Sequence, residues 1–148
     1  LCGVCTAWGD PHYTTFDGVK WDFYGKGEYW VVGAYEDAHP DPGQRTIDWS
    51  VRSLQEPVRT ATKHSMLRVT YGKVAVEVRV LDGTRAGEPT LSVEGKGIDL
   101  ADGASVTTSN AMRVTRRGVG VTSKNRALRT TYRIELPNAV AVEIRAGF

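Results

Sequence analysis

Cysteine is nearly absent. Cys2 and Cys5 are the only two among 148 residues, too few for the disulfide framework that holds together small domains without a core. Stability must come from buried apolar surface, and a chain of this length buries roughly 70% of its unfolded surface as one domain. No apolar run approaches the roughly 20 residues that cross a bilayer, so direct membrane insertion is not expected. The N-terminus LCGVC has neither the charged nor the apolar region of a secretory leader, and the chain reads as an excised or mature fragment. Neither sign of charge dominates: 19 basic and 17 acidic residues leave a net charge of +2, and no strong overall field is expected to recruit a polyanion such as nucleic acid. None of Asn110, Asn125 and Asn138 begins an N-x-[ST] sequon. There is also no nucleophile elbow, paired-histidine metal motif or phosphate loop, so an enzyme turning over a separate substrate is not expected.

What is present is a folded composition, 41% hydrophobic and 24% charged, with apolar residues recurring at every second position. Ile47, Trp49 and Val51 share one face, opposite Asp48, Ser50 and Arg52. Val74, Val76, Val78 and Val80 repeat the pattern against Glu77 and Arg79, and β-branched valines suit a pleated, half-buried surface. Further strands are predicted over 29–34, 66–71, 91–94, 112–116, 119–123, 128–136 and 140–144. Tyr71-Gly72-Lys73, Asp82-Gly83, Glu94-Gly95 and Asp102-Gly103 read as turns between them. Residues 36–44, EDAHPDPGQ, read as a loop, and 56–65, which lacks alternation, reads as a second exposed loop or a sheet edge. The expected fold is all-β, an antiparallel two-sheet sandwich or flattened barrel, with Val74, Val76, Val78, Val80, Val140, Val142 and Ile144 supplying much of its core.

The aromatics Trp8, Tyr13, Phe16, Trp21, Phe23, Tyr24, Tyr29 and Trp30 crowd the first thirty residues. Such density could serve as a binding face, but they are assigned to the core, because a chain with so few disulfides needs the large apolar area they bury. Arg113, Arg116 and Arg117, followed by Lys124, Arg126 and Arg129, form the densest basic clusters. A sulfated glycan is the partner such clusters could meet, and solvated strand faces are the plainer account. The C-x-x-C spacing of Cys2 and Cys5 lacks the further ligands a structural zinc ion needs and the βαβ setting of a thioredoxin-like site. Neither a zinc site nor a redox site is expected of them.

Residues 8–29 read WGDPHYTTFDGVKWDFYGKGEY, and this segment resembles the start of a von Willebrand factor type D domain. Cys5, Gly9, Asp10, Pro11, His12, Thr15, Phe16, Asp17, Gly18, Phe23 and Gly25 match that pattern. Gly27 stands where most members carry a cysteine, which is closer to the cysteine-poor version in membrane mucins and sushi-domain relatives. The resemblance implies one domain over residues 1–148, without the Cys/Asn/Asp-rich segment that normally follows the family's body. It also implies an extracellular structural or interaction module of a secreted or cell-surface mucin-, adhesion- or matrix-type protein, with other extracellular protein domains as partners.

Three site readings follow from the resemblance. Asp10, Pro11 and His12 are implied as a self-cleaving unit, with Asp10 attacking its own carbonyl, Pro11 leaving and His12 supplying a proton. Gly9-Asp10-Pro11 as a tight turn accounts for the same residues. Asp17 is implied as one ligand of a calcium site, but a single aspartate cannot supply the six to eight oxygens calcium takes, so this chain alone is expected to bind calcium weakly or not at all. Asp17-Gly18 as a hairpin turn is the alternative. Cys5 is implied to bridge to the missing C-terminal segment, which leaves it unpaired, linked to Cys2 or joined to another chain.

Overall fold

In the computed structural model, which describes residues 3–8, 11–58, 61–80, 89–119 and 129–146, the period-2 segments become thirteen strands. Three short ones, β1 (Thr6–Trp8), β2 (His12–Thr14) and β3 (Lys20–Asp22), form an N-terminal sheet. Six more, β4 (Gly27–Tyr35), β5 (Ile47–Val58), β6 (Ala61–Tyr71), β7 (Val74–Arg79), β8 (Thr90–Val93) and β9 (Lys96–Ile98), form a second sheet in chain order. The last four, β10 (Ser105–Thr107), β11 (Arg113–Val119), β12 (Arg129–Glu135) and β13 (Ala141–Ala146), form a third. The pairings within these sheets are antiparallel, and none of the three closes into a barrel. Only 3% of the described residues are helical, so the all-β expectation holds. The small N-terminal sheet is an addition to the two layers expected.

Meander order follows from tight links. Gly72, at φ +54°, opens the two-residue turn between Tyr71 and Val74, and Glu94 and Gly95 both take positive φ between Val93 and Lys96. Such backbones match the twist of the strands they join. The 36–44 segment is a loop ending in one 3-10 turn, Pro42–Gln44, capped by Asp41. Residues 120–123 of the expected 119–123 strand, and the Asp82-Gly83 turn, lie outside the described residues.

The core lies between the second and third sheets. Val51, Val69, Val76, Val78, Leu91 and Val93 meet Leu100, Met112, Val114, Tyr132, Ile134, Leu136 and Ile144. Of the expected core residues, Val76, Val78 and Ile144 are buried, while Val74, Val140 and Val142 pack partly buried against them. Val80 is half-buried and lies past the end of β7, where its N–H donates to the Ser65 carbonyl.

Of the two readings of 56–65, exposed loop or sheet edge, the second holds: the segment is the end of a long hairpin that runs past β4 and β7, with Glu56 paired to Lys63, Pro57 to Thr62 and Val58 to Ala61. Alternation is missing there because the buried positions, Ser53, Gln55, Thr62 and Ser65, are polar. Pro57 is tolerated because β4 has already ended, its first residue Gly27 pairing with Gln55.

Met112 is fully buried in the core. Met112→Ala should lower the unfolding free energy by about 2–5 kcal/mol, whereas Val4→Ala, at an exposed position, should change it by less than about 0.5 kcal/mol. Urea titration followed by fluorescence measures both.

Candidate functional site on the N-terminal sheet

The register of the small sheet decides which side chains of the motif meet. Trp8 pairs with His12 and His12 with Asp22, so these three form one row across β1, β2 and β3. His12 Nδ1 lies 2.6 Å from Asp22 Oδ1, and the Trp8 ring sits 4.6 Å from the imidazole between centroids. With Nδ1 held by the carboxylate, Nε2 is the nitrogen left for other chemistry. Pro11 is fully buried and its carbonyl accepts from Phe23 N at 3.2 Å. Gly9 and Asp10 lie outside the described residues, so the structure places two of the three residues of the self-cleaving reading, Pro11 and His12.

The opposite face carries Tyr13 and Trp21, stacked at 4.5 Å and 15°. Tyr13 is buried, and its hydroxyl accepts a hydrogen bond from Gln55 Nε2. Its ring meets His64 edge-on at 5.9 Å, and His64 Nδ1 is 2.5 Å from Ser53 Oγ. The small sheet is thus seated on the polar end of the β5–β6 hairpin. These residues were missed in the sequence, where the signal was a stretch of strand length whose alternation became polar without becoming turn-like.

Burial shapes the electrostatics of this seam. Desolvation pushes the His64 pKa below its ordinary 6.5, and no described residue bonds its buried Nε2. Desolvation likewise raises the Tyr13 phenol, against a smaller opposing effect of the Gln55 hydrogen bond.

Most of the motif's aromatics are not core, which corrects the expectation. Trp8, Phe16, Trp21, Tyr24 and Trp30 are exposed, Trp8 by 62%, and only Tyr13 is buried; Phe23 and Tyr29 are intermediate and pack edge-on at 4.7 Å. Three-residue strands offer too little area to bury these rings, so that even Trp21, on the seated face, stays exposed, while Trp30 belongs to β4, an edge strand of the second sheet.

Asp17 sits in the β2–β3 turn, where Thr15 N–H donates to Val19 O at 2.9 Å and Gly18 N–H to Thr15 O at 3.0 Å. Its carboxylate accepts from the Thr15 hydroxyl, and that bond, followed by backbone amides, lowers its pKa. Among the described residues no three His, Cys, Asp or Glu side chains converge as metal ligands. A lone turn aspartate supplies too few oxygens for a calcium ion.

Cys5 is a free, half-buried thiol whose pKa burial raises; Cys2 lies outside the described residues. The basic cluster is divided by strand alternation. Arg113 and Arg117 are exposed on one face of β11, whereas Arg116 points the other way and donates to Leu100 O at 2.7 Å. Lys124 and Arg126 lie outside the described residues, and Arg129 opens β12.

The sign of the His64 effect is fixed by its lowered pKa. Between that value and 6.5 the unfolded chain binds the proton that the folded chain refuses, so stability falls as pH drops through this window and changes no further below it. His64→Gln should abolish this slope. Subtracting its unfolding free energies from those of the wild type between pH 7 and pH 4 isolates the contribution from other titrating groups.

Against this geometry the comparisons with known proteins are consistent. The chain is 29% identical to mouse zonadhesin over 68 residues, 46% of this chain and 1% of the relative. It is 40% identical to human mucin-2 over 78 residues, 42% of this chain and 1% of the relative. It is 64% identical to the human IgGFc-binding protein over 25 residues, 17% of this chain. The chain therefore spans about 1% of the length of the first two relatives. The family profile of the von Willebrand factor type D domain matches residues 5–144, nearly the whole chain, and the protein belongs to that family of extracellular modules.

Proposed function

We propose that this domain is a structural and interaction module of a larger secreted or cell-surface protein of mucin, adhesion or matrix type, and that its N-terminal sheet is the surface it presents to neighbouring protein domains. The observation that carries the reading is the run of exposed apolar side chains, Val4, Trp8, Phe16, Val19 and Tyr24, on and beside a sheet whose other face is already seated. Large aromatics left in water are uncommon on isolated domains and mark contact surfaces. Trp8→Ser with Phe16→Ser should leave the β-rich circular dichroism spectrum unchanged and weaken association in trans with the adjoining domains of the parent protein by about tenfold or more. Unchanged affinity in calorimetry would move the interface elsewhere.

A second reading, self-processing at Asp10-Pro11, is favoured by the Asp22 carboxylate bound to His12 Nδ1 at 2.6 Å, one residue beyond the bond concerned. In this reaction the Asp10 carboxylate attacks its own carbonyl carbon and the C–N bond to Pro11 breaks. The proline nitrogen takes a proton from the His12 imidazolium, and water then opens the cyclic anhydride to two carboxyl groups. No separate substrate is turned over. The chain contains its own control, Asp41-Pro42, whose carboxylate is already engaged by Gly43 N at 2.9 Å and Gln44 Nε2 at 3.1 Å. At mildly acidic pH, fragment masses under reducing, denaturing conditions should show cleavage after Asp10 well ahead of cleavage after Asp41, with Asp10→Asn inert and His12→Ala slow. Equal rates at the two bonds would leave Gly9-Asp10-Pro11 as a turn and nothing more.

A further inference from the structure

At the edge of the second sheet, two rings that a regular strand would separate are brought together. Trp30 and Tyr35 are five positions apart on β4, an odd spacing that places side chains on opposite faces. They nevertheless stack, at 5.7 Å between centroids and 22° between planes. The pairing passes from Trp30–Arg52 to Val32–Val51, so Val31 is an extra residue in β4. Val31 and Val32 consequently both pack against the core, and the alternation beyond them is reversed. Gly33, between the two rings, has no side chain; a Cβ there would collide with the Trp30 indole and the Trp49 carbonyl. A bulge and a glycine together build this platform, and both devices are known for re-aiming side chains.

Each end of the platform carries an arginine. The Arg45 guanidinium lies 5.5 Å from the Tyr35 centroid and that of Arg52 lies 5.7 Å from the Trp30 centroid. Arg45 uses only Nε, donating to His39 O at 2.6 Å. Arg52 faces Glu28 at 4.0 Å, too far for a hydrogen bond, while Glu28 is engaged by Arg68 at 3.0 Å. Asp37, whose carboxylate feels the Arg45 charge, accepts from the amides of His39 and Thr46. Both guanidiniums therefore keep donors free of bonds to described residues, while Trp30 and Tyr35 remain about two-fifths exposed.

We propose that the Arg45–Tyr35–Trp30–Arg52 strip binds a strand of acidic glycan, with sulfate or carboxylate groups meeting the guanidiniums and the sugars packing on the aromatic surface left exposed between them. A broad platform flanked by planar cationic donors suits an anionic ring with an apolar face. A peptide fits less well. An extended peptide would bind here by adding a strand to the β4 edge, and the pairing irregularities after Trp30 and Ala34 interrupt that ladder. This site is independent of the domain contacts proposed for the N-terminal sheet. It also differs from the Arg113, Arg116 and Arg117 cluster, which strand alternation divides.

The test is calorimetry of the whole chain at 0.15 M salt with a heparin hexasaccharide, neutral chitohexaose and a hexaglutamate peptide. The heparin fragment should bind and the other two should not. Arg45→Gln and Arg52→Gln should each weaken binding by about tenfold, and Trp30→Ala should remove it. The double variant Arg113→Gln with Arg117→Gln should stay within about twofold of wild type, and circular dichroism verifies the fold of every variant. The proposal is overturned if heparin does not bind, if hexaglutamate binds as tightly, or if the Arg113 and Arg117 changes cost as much as those at Arg45 and Arg52.

Discussion

The hydrogen bond that Gln55 donates to the Tyr13 hydroxyl joins the N-terminal sheet to the body of the domain, and the arrangement of the motif depends on it. Gln55 is fully buried, so its amide must find partners inside the protein or cost the full desolvation of a polar group. The Tyr13 hydroxyl supplies one and Thr62 approaches its Oε1 at 3.5 Å. Tyr13 in turn can be buried only while its hydroxyl is satisfied. Neither residue is at ease without the other, and this mutual requirement fixes which face of the small sheet turns inward.

That division has a consequence for the large sheet. Val51 and Ser53 point to the same side of β5, but Val51 lies in the apolar core and Ser53 bonds His64. One strand face thus serves two layers, the apolar part packing on the third sheet and the polar part holding the N-terminal one. An apolar seam would bind the small sheet more indiscriminately, since hydrophobic contact has no direction. A hydrogen-bonded seam accepts one orientation, and so keeps the Trp8, His12 and Asp22 row facing outward.

How far the sequence could be read follows from the same contrast. The Val74 to Val78 row was legible because its inward positions are apolar and its turn, opened by Gly72, is tight. The β5–β6 extension was not, because period-2 reading looks for apolar residues and this stretch buries Ser, Gln and Thr. The aromatics misled for a related reason: density suggests burial, but Trp8 lies in a three-stranded sheet with only one covered face and Phe16 in that sheet's β2–β3 turn. Val31 was equally invisible, since an extra residue changes the facing of every residue after it without altering composition. The pairing of Trp30 with Tyr35 therefore appears only in the folded chain.

The family motif is best understood as a register-setting device with a surface row attached. Thr15 N–H to Val19 O closes the β2–β3 turn, and the Thr15 hydroxyl accepts from Val19 N at 3.1 Å. Asp17 braces that hydroxyl from the other side, and Gly18 takes the φ of +85° that the turn demands. Turn length then fixes Thr14 opposite Lys20, Tyr13 opposite Trp21 and His12 opposite Asp22. A slip of one residue would send Trp21 outward and Asp22 inward, removing the stack on Tyr13 and placing a carboxylate against the buried seam. The turn residues thus do their work at a distance: Thr15, Asp17 and Gly18 lie in the turn, outside the row that holds His12 and Asp22, yet the 2.6 Å contact between those two exists only in the register they impose.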